Sequence, residues 1–193
     1  MIIQSALVFC GSSKGRNPIY EKSAYELGKS LAQRGIRLVY GAGNVGLMGV
    51  LADAALEHGG EVTGIIPYFL RDREVCHLGL TELVVVQSMA ERKLVMAERA
   101  DTVITLPGGY GTLDELFEML TLVQLSQAAH PIGIWNVNGF FDPLIMQLEK
   151  MHEEQFLKDI HRKMLLVSSD LDDLFTKIEN FEPTMPVGKW QNS

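Results

Sequence analysis

The chain has 193 residues, and at about 100–200 residues per domain that is one domain, with enough core to fold without disulfides or a structural metal. Apolar residues make up 47% and charged residues 21%, which excludes a disordered or collagen-like chain. Seventeen basic and 24 acidic residues give a net charge of −7. That balance argues against non-specific binding to nucleic-acid backbones or to anionic membranes. It still permits a small anionic ligand, because a local field can oppose the net charge.

Cys10 and Cys76 are the only cysteines. Two thiols without a CxxC pair make no disulfide framework, and the expected compartment is the reducing cytoplasm. No stretch approaches the roughly 18 continuous apolar residues of a membrane span. The opening MIIQSALVFCGSS has no basic n-region, and bulky Phe9 precedes Cys10 where leader processing needs a small residue. It reads as a buried strand.

In chain order, a strand over 6–10 is followed by a helix over 19–34 that ends at Gly35. A strand over 37–40 leads to a helix over 47–58, stopped by Gly59 and Gly60. Strands over 62–66 and 83–86 precede a helix over 89–99. Then come a strand over 102–106, a helix over 113–125, a strand over 132–135 and a helix over 143–155. A short edge strand over 165–167 and a helix over 171–179 close the pattern. Strands alternating with helices of this length specify a parallel sheet covered on both faces. Continuous apolar runs such as LVVV and VITL fit strands buried on both sides. The expected fold class is α/β, a single doubly wound Rossmann-like domain over 1–181 with a mostly parallel sheet, and an irregular tail over 182–193 that carries Trp190.

In such sheets ligands bind at the carboxyl ends of the strands, beside the point where strand order reverses. Four strand-to-helix turns therefore matter: CGSSKG, GAGNVG, the QSMAERK junction and LPGGYGTLDE. With the common order 3-2-1-4-5, the first and last of these flank the reversal. GAGNVG, residues 41–46, matches GxGxxG but follows the second strand, and no acidic residue ends the next strand. It reads better as a tight turn with close helix–sheet packing than as a dinucleotide fingerprint. Pro107, Gly108, Gly109, Tyr110, Gly111 and Thr112 join a buried strand to a helix start. Glycine amides, the positive helix end and the Thr112 hydroxyl together make a phosphate cradle. No Lys follows the last Gly, so this is not a Walker A loop.

Glu115 has two readings. It completes a capping box with Thr112 at the N-cap, or it is a catalytic carboxylate one turn from a bound phosphate. Arg92 and Lys93 also have two. Ser88 and Glu91 form a capping box that starts the helix, which puts both cations in the first turns, where the dipole disfavours them. They form a solvated face, with Arg92 paired to Glu91 or Glu115, or they clamp an anion. The five histidines show no metal-ligand spacing, and Ser12 and Ser13 lack a nucleophile elbow. The helix over 113–125 is apolar nearly all round, which calls for full enclosure or a second subunit. A symmetric homodimer through this region is expected.

Taken together, LPGGYGTLDE, MAERK, VYGAGNVGLMG, FCGSS and NVNGFFDPL resemble the LOG ("lonely guy") family. Its members are cytokinin riboside 5′-monophosphate phosphoribohydrolases, often mislabelled lysine decarboxylases. The family pattern PGGxGTxxE is met by Pro107, Gly108, Gly109, Gly111, Thr112 and Glu115. The resemblance implies hydrolysis of the N-glycosidic bond of a nucleoside 5′-monophosphate, with no metal or cofactor. It implies Arg92 and Glu115 as the catalytic pair. Gly108 to Thr112, including Tyr110, would hold the phosphate beside Lys93, with Gly11 and Ser12 of the first turn also at the substrate. Glu74, 18 positions before Arg92, would assist. Two stretches depart from the family pattern and bear on the base pocket: CHLGLTE replaces a Gly-rich segment, and Ala42 replaces a Gly. The competing class is a non-catalytic nucleotide or molybdenum-cofactor carrier of similar fold, which would not need Arg92 with Glu115. Pyridoxal chemistry is disfavoured, since no signature for it accompanies Lys93.

Overall fold

The computed structural model describes residues 2–71 and 76–182. Its elements in chain order are β1 (Ser5–Phe9), α1 (Pro18–Gln33), β2 (Arg37–Tyr40), α2 (Gly46–Glu57), β3 (Val62–Pro67), α3 (Tyr68–Arg71), β4 (Glu82–Val86) and α4 (Met89–Glu98). There follow β5 (Thr102–Thr105), α5 (Tyr110–Gln124), β6 (Ile132–Trp135), a 3-10 turn (Val137–Gly139), α6 (Asp142–Glu153), α7 (Asp159–Arg162), β7 (Leu165–Ser168) and α8 (Leu171–Glu179). The strands form one sheet in the order β4-β3-β2-β1-β5-β6-β7, and every neighbouring pair is parallel.

This is the doubly wound α/β arrangement that the alternating pattern predicts. The order reverses between β1 and β5, so the CGSSKG and LPGGYGTLDE turns flank the reversal as expected. Alternation along β1 feeds two cores. Ala6, Val8 and Cys10 face α1, α2 and α8, while Leu7 and Phe9 face α4, α5 and α6. The first helix is capped by Asn17, whose side chain accepts from the Ile19 amide, and Pro18 opens it. Gly46 adopts φ +63°, and a Cβ there would lie 2.2 Å from the Ser12 carbonyl carbon. The GxGxxG turn thus lets the β1 and β2 turns touch, which is the packing role read from its position.

Two expectations are corrected. The LVVV run is not covered on both faces: β4 is an edge strand, and Leu83 and Val85 are exposed. The helix expected over 113–125 begins three residues earlier, at Tyr110, with Gly109 as N-cap and no side-chain cap bond. Thr112 is therefore inside the helix, and the capping box with Glu115 does not form. Glycines usually mark helix ends, and here the strand-to-helix turn is completed by Pro107 to Gly109 alone. Of the two alternatives for the apolar helix, full enclosure does not hold within one chain, since Phe117 on α5 and Leu125 at its end are exposed. The short α3, α7 and the 3-10 turn were not expected. They are one-turn segments too short to show a helical period.

Glu74 and the tail beyond residue 182 lie outside the described residues. Among the described residues no helix is long and apolar enough to cross a membrane, and no cluster of His, Cys, Asp or Glu could hold a metal.

Candidate active site

At the carboxyl edge of the sheet, beside the reversal, lies a cavity of about 310 Å³. The β1 turn supplies Gly11 and Ser12, and the α5 start supplies Gly109, Tyr110, Gly111 and Thr112. Helix α4 adds Arg92 and Lys93, and α5 adds Asp114 and Glu115. The remaining wall is apolar, with Met48, Leu70, Met89 and Met96. Gly108 sits beneath, held between the two turns. A Cβ there would lie 2.0 Å from Thr112 Oγ1 and 2.9 Å from the Gly11 amide nitrogen. The Gly11 amide donates to the Pro107 carbonyl at 3.0 Å, which locks the turns together. A Cβ at Gly109 or Gly111 would meet nothing within 4 Å, and both residues line the cavity, so open space lies beside the start of α5. An uncapped helix start with open space above it attracts an anion.

Arg92 is 5% exposed. Its Nη2 donates to the Gly41 carbonyl at 2.9 Å, and Nη1 lies 3.8 Å from Met89 Sδ. Buried Nε has no hydrogen-bond partner among the described residues. Neither expected ion pair forms. Glu91 instead caps α4, accepting from the Gln87 amide, while its own amide donates to Ser88. Among the described residues no carboxylate reaches ion-pair distance of Arg92, so a buried guanidinium faces the cavity with donor capacity to spare.

Lys93 behaves differently. Its ammonium lies 2.7 Å from Asp114 and 2.6 Å from Glu118, tying α4 to α5. Burial alone would lower its pKa, but the two carboxylates override that and hold it above the ordinary lysine value. This is the reverse of the deprotonated amine that Schiff-base chemistry requires.

Glu115 lies on α5, where it lines both this cavity and an adjoining apolar one of about 130 Å³. Burial pushes its carboxyl up from 4.5 to about 7, against the pull of Arg92 and Lys93, with Asp114 and Glu118 adding to the rise. A carboxyl titrating near neutrality can give and take a proton at working pH. Burial and the Glu115 charge also push the Cys10 thiol up, so Cys10 is an inert wall residue.

Gly41 was read only as part of a turn, yet its carbonyl is the anchor of Arg92. A Cβ at position 41 would lie 1.9 Å from Arg92 Nη2. The GAG sequence carried a signal for close approach but not for what approaches. The acidic partners of Lys93 are visible in sequence only as an i, i+4 pair, Asp114 and Glu118, on one face of α5.

The family profile described as "Possible lysine decarboxylase" matches residues 48–178. The rice (Oryza sativa subsp. japonica) protein named cytokinin riboside 5′-monophosphate phosphoribohydrolase LOG is 43% identical over 181 residues, covering 94% of this chain and 75% of the rice chain. The chain belongs to the LOG family. A second LOG member, a cytokinin riboside 5′-monophosphate phosphoribohydrolase of Arabidopsis thaliana, is 41% identical over 91% of this chain and 81% of its own. Among solved structures, the molybdenum cofactor binding protein of Rippkaea orientalis superposes with a TM-score of 0.69 at 21% identity, over 93% of this chain and 97% of its own. At that identity the likeness speaks to the fold alone. The LOG family also accounts for the profile's description without any decarboxylase chemistry at Lys93.

Proposed function

We propose that the chain hydrolyses the N-glycosidic bond of a purine nucleoside 5′-monophosphate, giving free base and ribose 5-phosphate. One observation carries the reading. A half-buried carboxyl, Glu115, with its pKa near 7, shares one cavity with the uncapped start of α5 and with a buried Arg92 that meets no carboxylate among the described residues. Family membership supports the same chemistry, since the relatives are named for it.

The 5′-phosphate sits on the amides of Gly109 to Thr112, aided by the Thr112 hydroxyl. That grip spends remote binding energy on placing the ribose over Glu115. As the C1′–N9 bond lengthens, its electron pair leaves with the base and positive charge builds on C1′. The Glu115 carboxylate stabilises that charge and takes a proton from the attacking water, whose oxygen bonds to C1′. The departing base takes a proton from solvent and leaves neutral, and Glu115 returns the proton it took from water to solvent, so the protons balance. Arg92, held by Gly41, offers its spare donors to the phosphate or to the leaving base. Ser12 and Gly11 bound the pocket on the β1 side. Glu74 is retained as an assisting carboxylate on the strength of the resemblance alone.

We also propose a homodimer through α4 and α5, where Leu94, Phe117 and Leu125 are exposed. A cytoplasmic location fits two buried cysteines that stand outside any disulfide. Chromatography of the products from AMP and from isopentenyladenosine 5′-monophosphate tests the reaction. Free base and ribose 5-phosphate in equal amounts support it. Tight AMP binding without turnover would make the protein a nucleotide carrier instead.

A further inference from the structure

Outside the cavity, the segment after the undescribed residues 72–75 crosses the β2–α2 turn and is bolted to it. Gly43 pairs with Cys76 in an isolated antiparallel bridge, and the His77 amide donates to the Ala42 carbonyl at 3.0 Å. The bolt is the His77 side chain, whose side-chain exposure is only 9%. Its Nδ1 accepts from the Gly79 amide at 3.1 Å, and its Nε2 lies 2.9 Å from Asp53 Oδ1 on α2. An amide can only donate, so Nδ1 is the unprotonated nitrogen, and Nε2–H donates to Asp53. Both ring nitrogens are committed within the protein, which leaves His77 no proton chemistry to offer a substrate.

What this clamp holds is a strained turn. Ala42 is fully buried and adopts φ +61°, in the left-handed region that disfavours a side chain. A residue there persists only if its surroundings over-determine it. The preceding carbonyl, that of Gly41, is the one Arg92 grips at 2.9 Å. The chain of contacts therefore runs from Asp53 through His77 and Ala42 to the Gly41 carbonyl and the Arg92 guanidinium. We infer that the Asp53–His77 pair is a positioning device for Arg92: it fixes the β2–α2 turn so that the Gly41 carbonyl presents the guanidinium to the cavity. This rests on the reading of Arg92 as a substrate-facing group.

The test is a double-mutant cycle. Asp53→Ala, Asp53→Asn and His77→Phe are each made alone and with Arg92→Ala. Each variant is assayed for kcat, KM and calorimetric affinity with AMP, alongside its melting temperature. Asp53 is exposed on a helix, so Asp53→Ala keeps the proposal testable if His77→Phe folds poorly. With Arg92 present, Asp53→Ala and His77→Phe lower kcat/KM by about 10-fold or more. In the Arg92→Ala background the same changes cost less than about 2-fold, because the group they position is gone. Asp53→Asn keeps an acceptor oxygen for Nε2–H and stays within about 2-fold of wild type. Equal losses in both backgrounds, or no loss in either single variant, would overturn the inference. If the wild-type protein releases no base at all, the proposed reaction fails on its own. The cycle is then scored on AMP affinity, where the same two patterns decide it.

Discussion

Arg92 Nη2 occupies the space where a side chain at Gly41 would begin, donating to the Gly41 carbonyl at 2.9 Å. The glycine is required by the arginine, not by the turn alone. Gly41→Ala therefore displaces the guanidinium and lowers kcat/KM by about 100-fold, the cost of a misplacement near 1 Å. Stability falls by about 1–3 kcal/mol from overpacking. Circular dichroism and AMP turnover on the same preparation check that the fold survives while the activity does not.

Glu115 carries the pH dependence. Its carboxyl titrates near 7, so the ionised form that the proposed reaction needs at C1′ is lost as pH falls through that value. The kcat/KM profile should rise through about 7 and flatten above it, and Glu115→Gln should remove the limb along with most of the activity.

The same group sets a stability signature. The folded carboxyl binds its proton more tightly than the unfolded one. Stability therefore falls as pH rises from 4.5 to about 7 and stays reduced above it. Glu115→Gln should match wild type near pH 4 and exceed it at pH 8, by up to about 3 kcal/mol. Urea melts at the two pH values read this directly. A constant difference across the range would contradict the burial of the charge.

Much of this was legible in the sequence. The alternation of strands and helices gave the doubly wound sheet and the reversal point beside β1 and β5. PGGYGT pointed to a glycine-lined strand-to-helix turn at the cavity, which is where it lies. The fate of Glu115 was not legible locally, because Thr112-x-x-Glu115 satisfies the capping pattern whether or not the helix begins there. Only the helix start at Tyr110 separates the two readings. The anchor of Arg92 and the pairing of His77 with Asp53 were also hidden. They join residues 51 and 24 positions apart through contacts that no periodicity encodes.

The glycine turn that opens α5 predicts a contrast between two neighbouring glycines. A Cβ at Gly108 collides with Thr112 and Gly11, while one at Gly109 meets nothing within 4 Å. Gly108→Ala should lower both melting temperature and activity. Gly109→Ala should leave the melting temperature unchanged yet raise KM for AMP by about 10-fold, because its methyl group enters the space of the anion.

Lys93, held by Asp114 and Glu118, pulls the Glu115 carboxyl downward from beside it. Lys93→Met keeps much of the stem but leaves Asp114 and Glu118 uncompensated beside Glu115. The limb of the pH profile should move upward, with KM for AMP little changed.

In the proposed reaction the start of α5 and Glu115 act on one and the same substrate. Its most direct test is the ratio of kcat/KM for AMP to that for adenosine, measured in wild type, Gly109→Ala and Glu115→Gln. A ratio of about 100 or more is expected in wild type, with a smaller ratio in Gly109→Ala and loss of both activities in Glu115→Gln. Equal rates on AMP and adenosine, or full turnover without the Glu115 carboxylate, would contradict it.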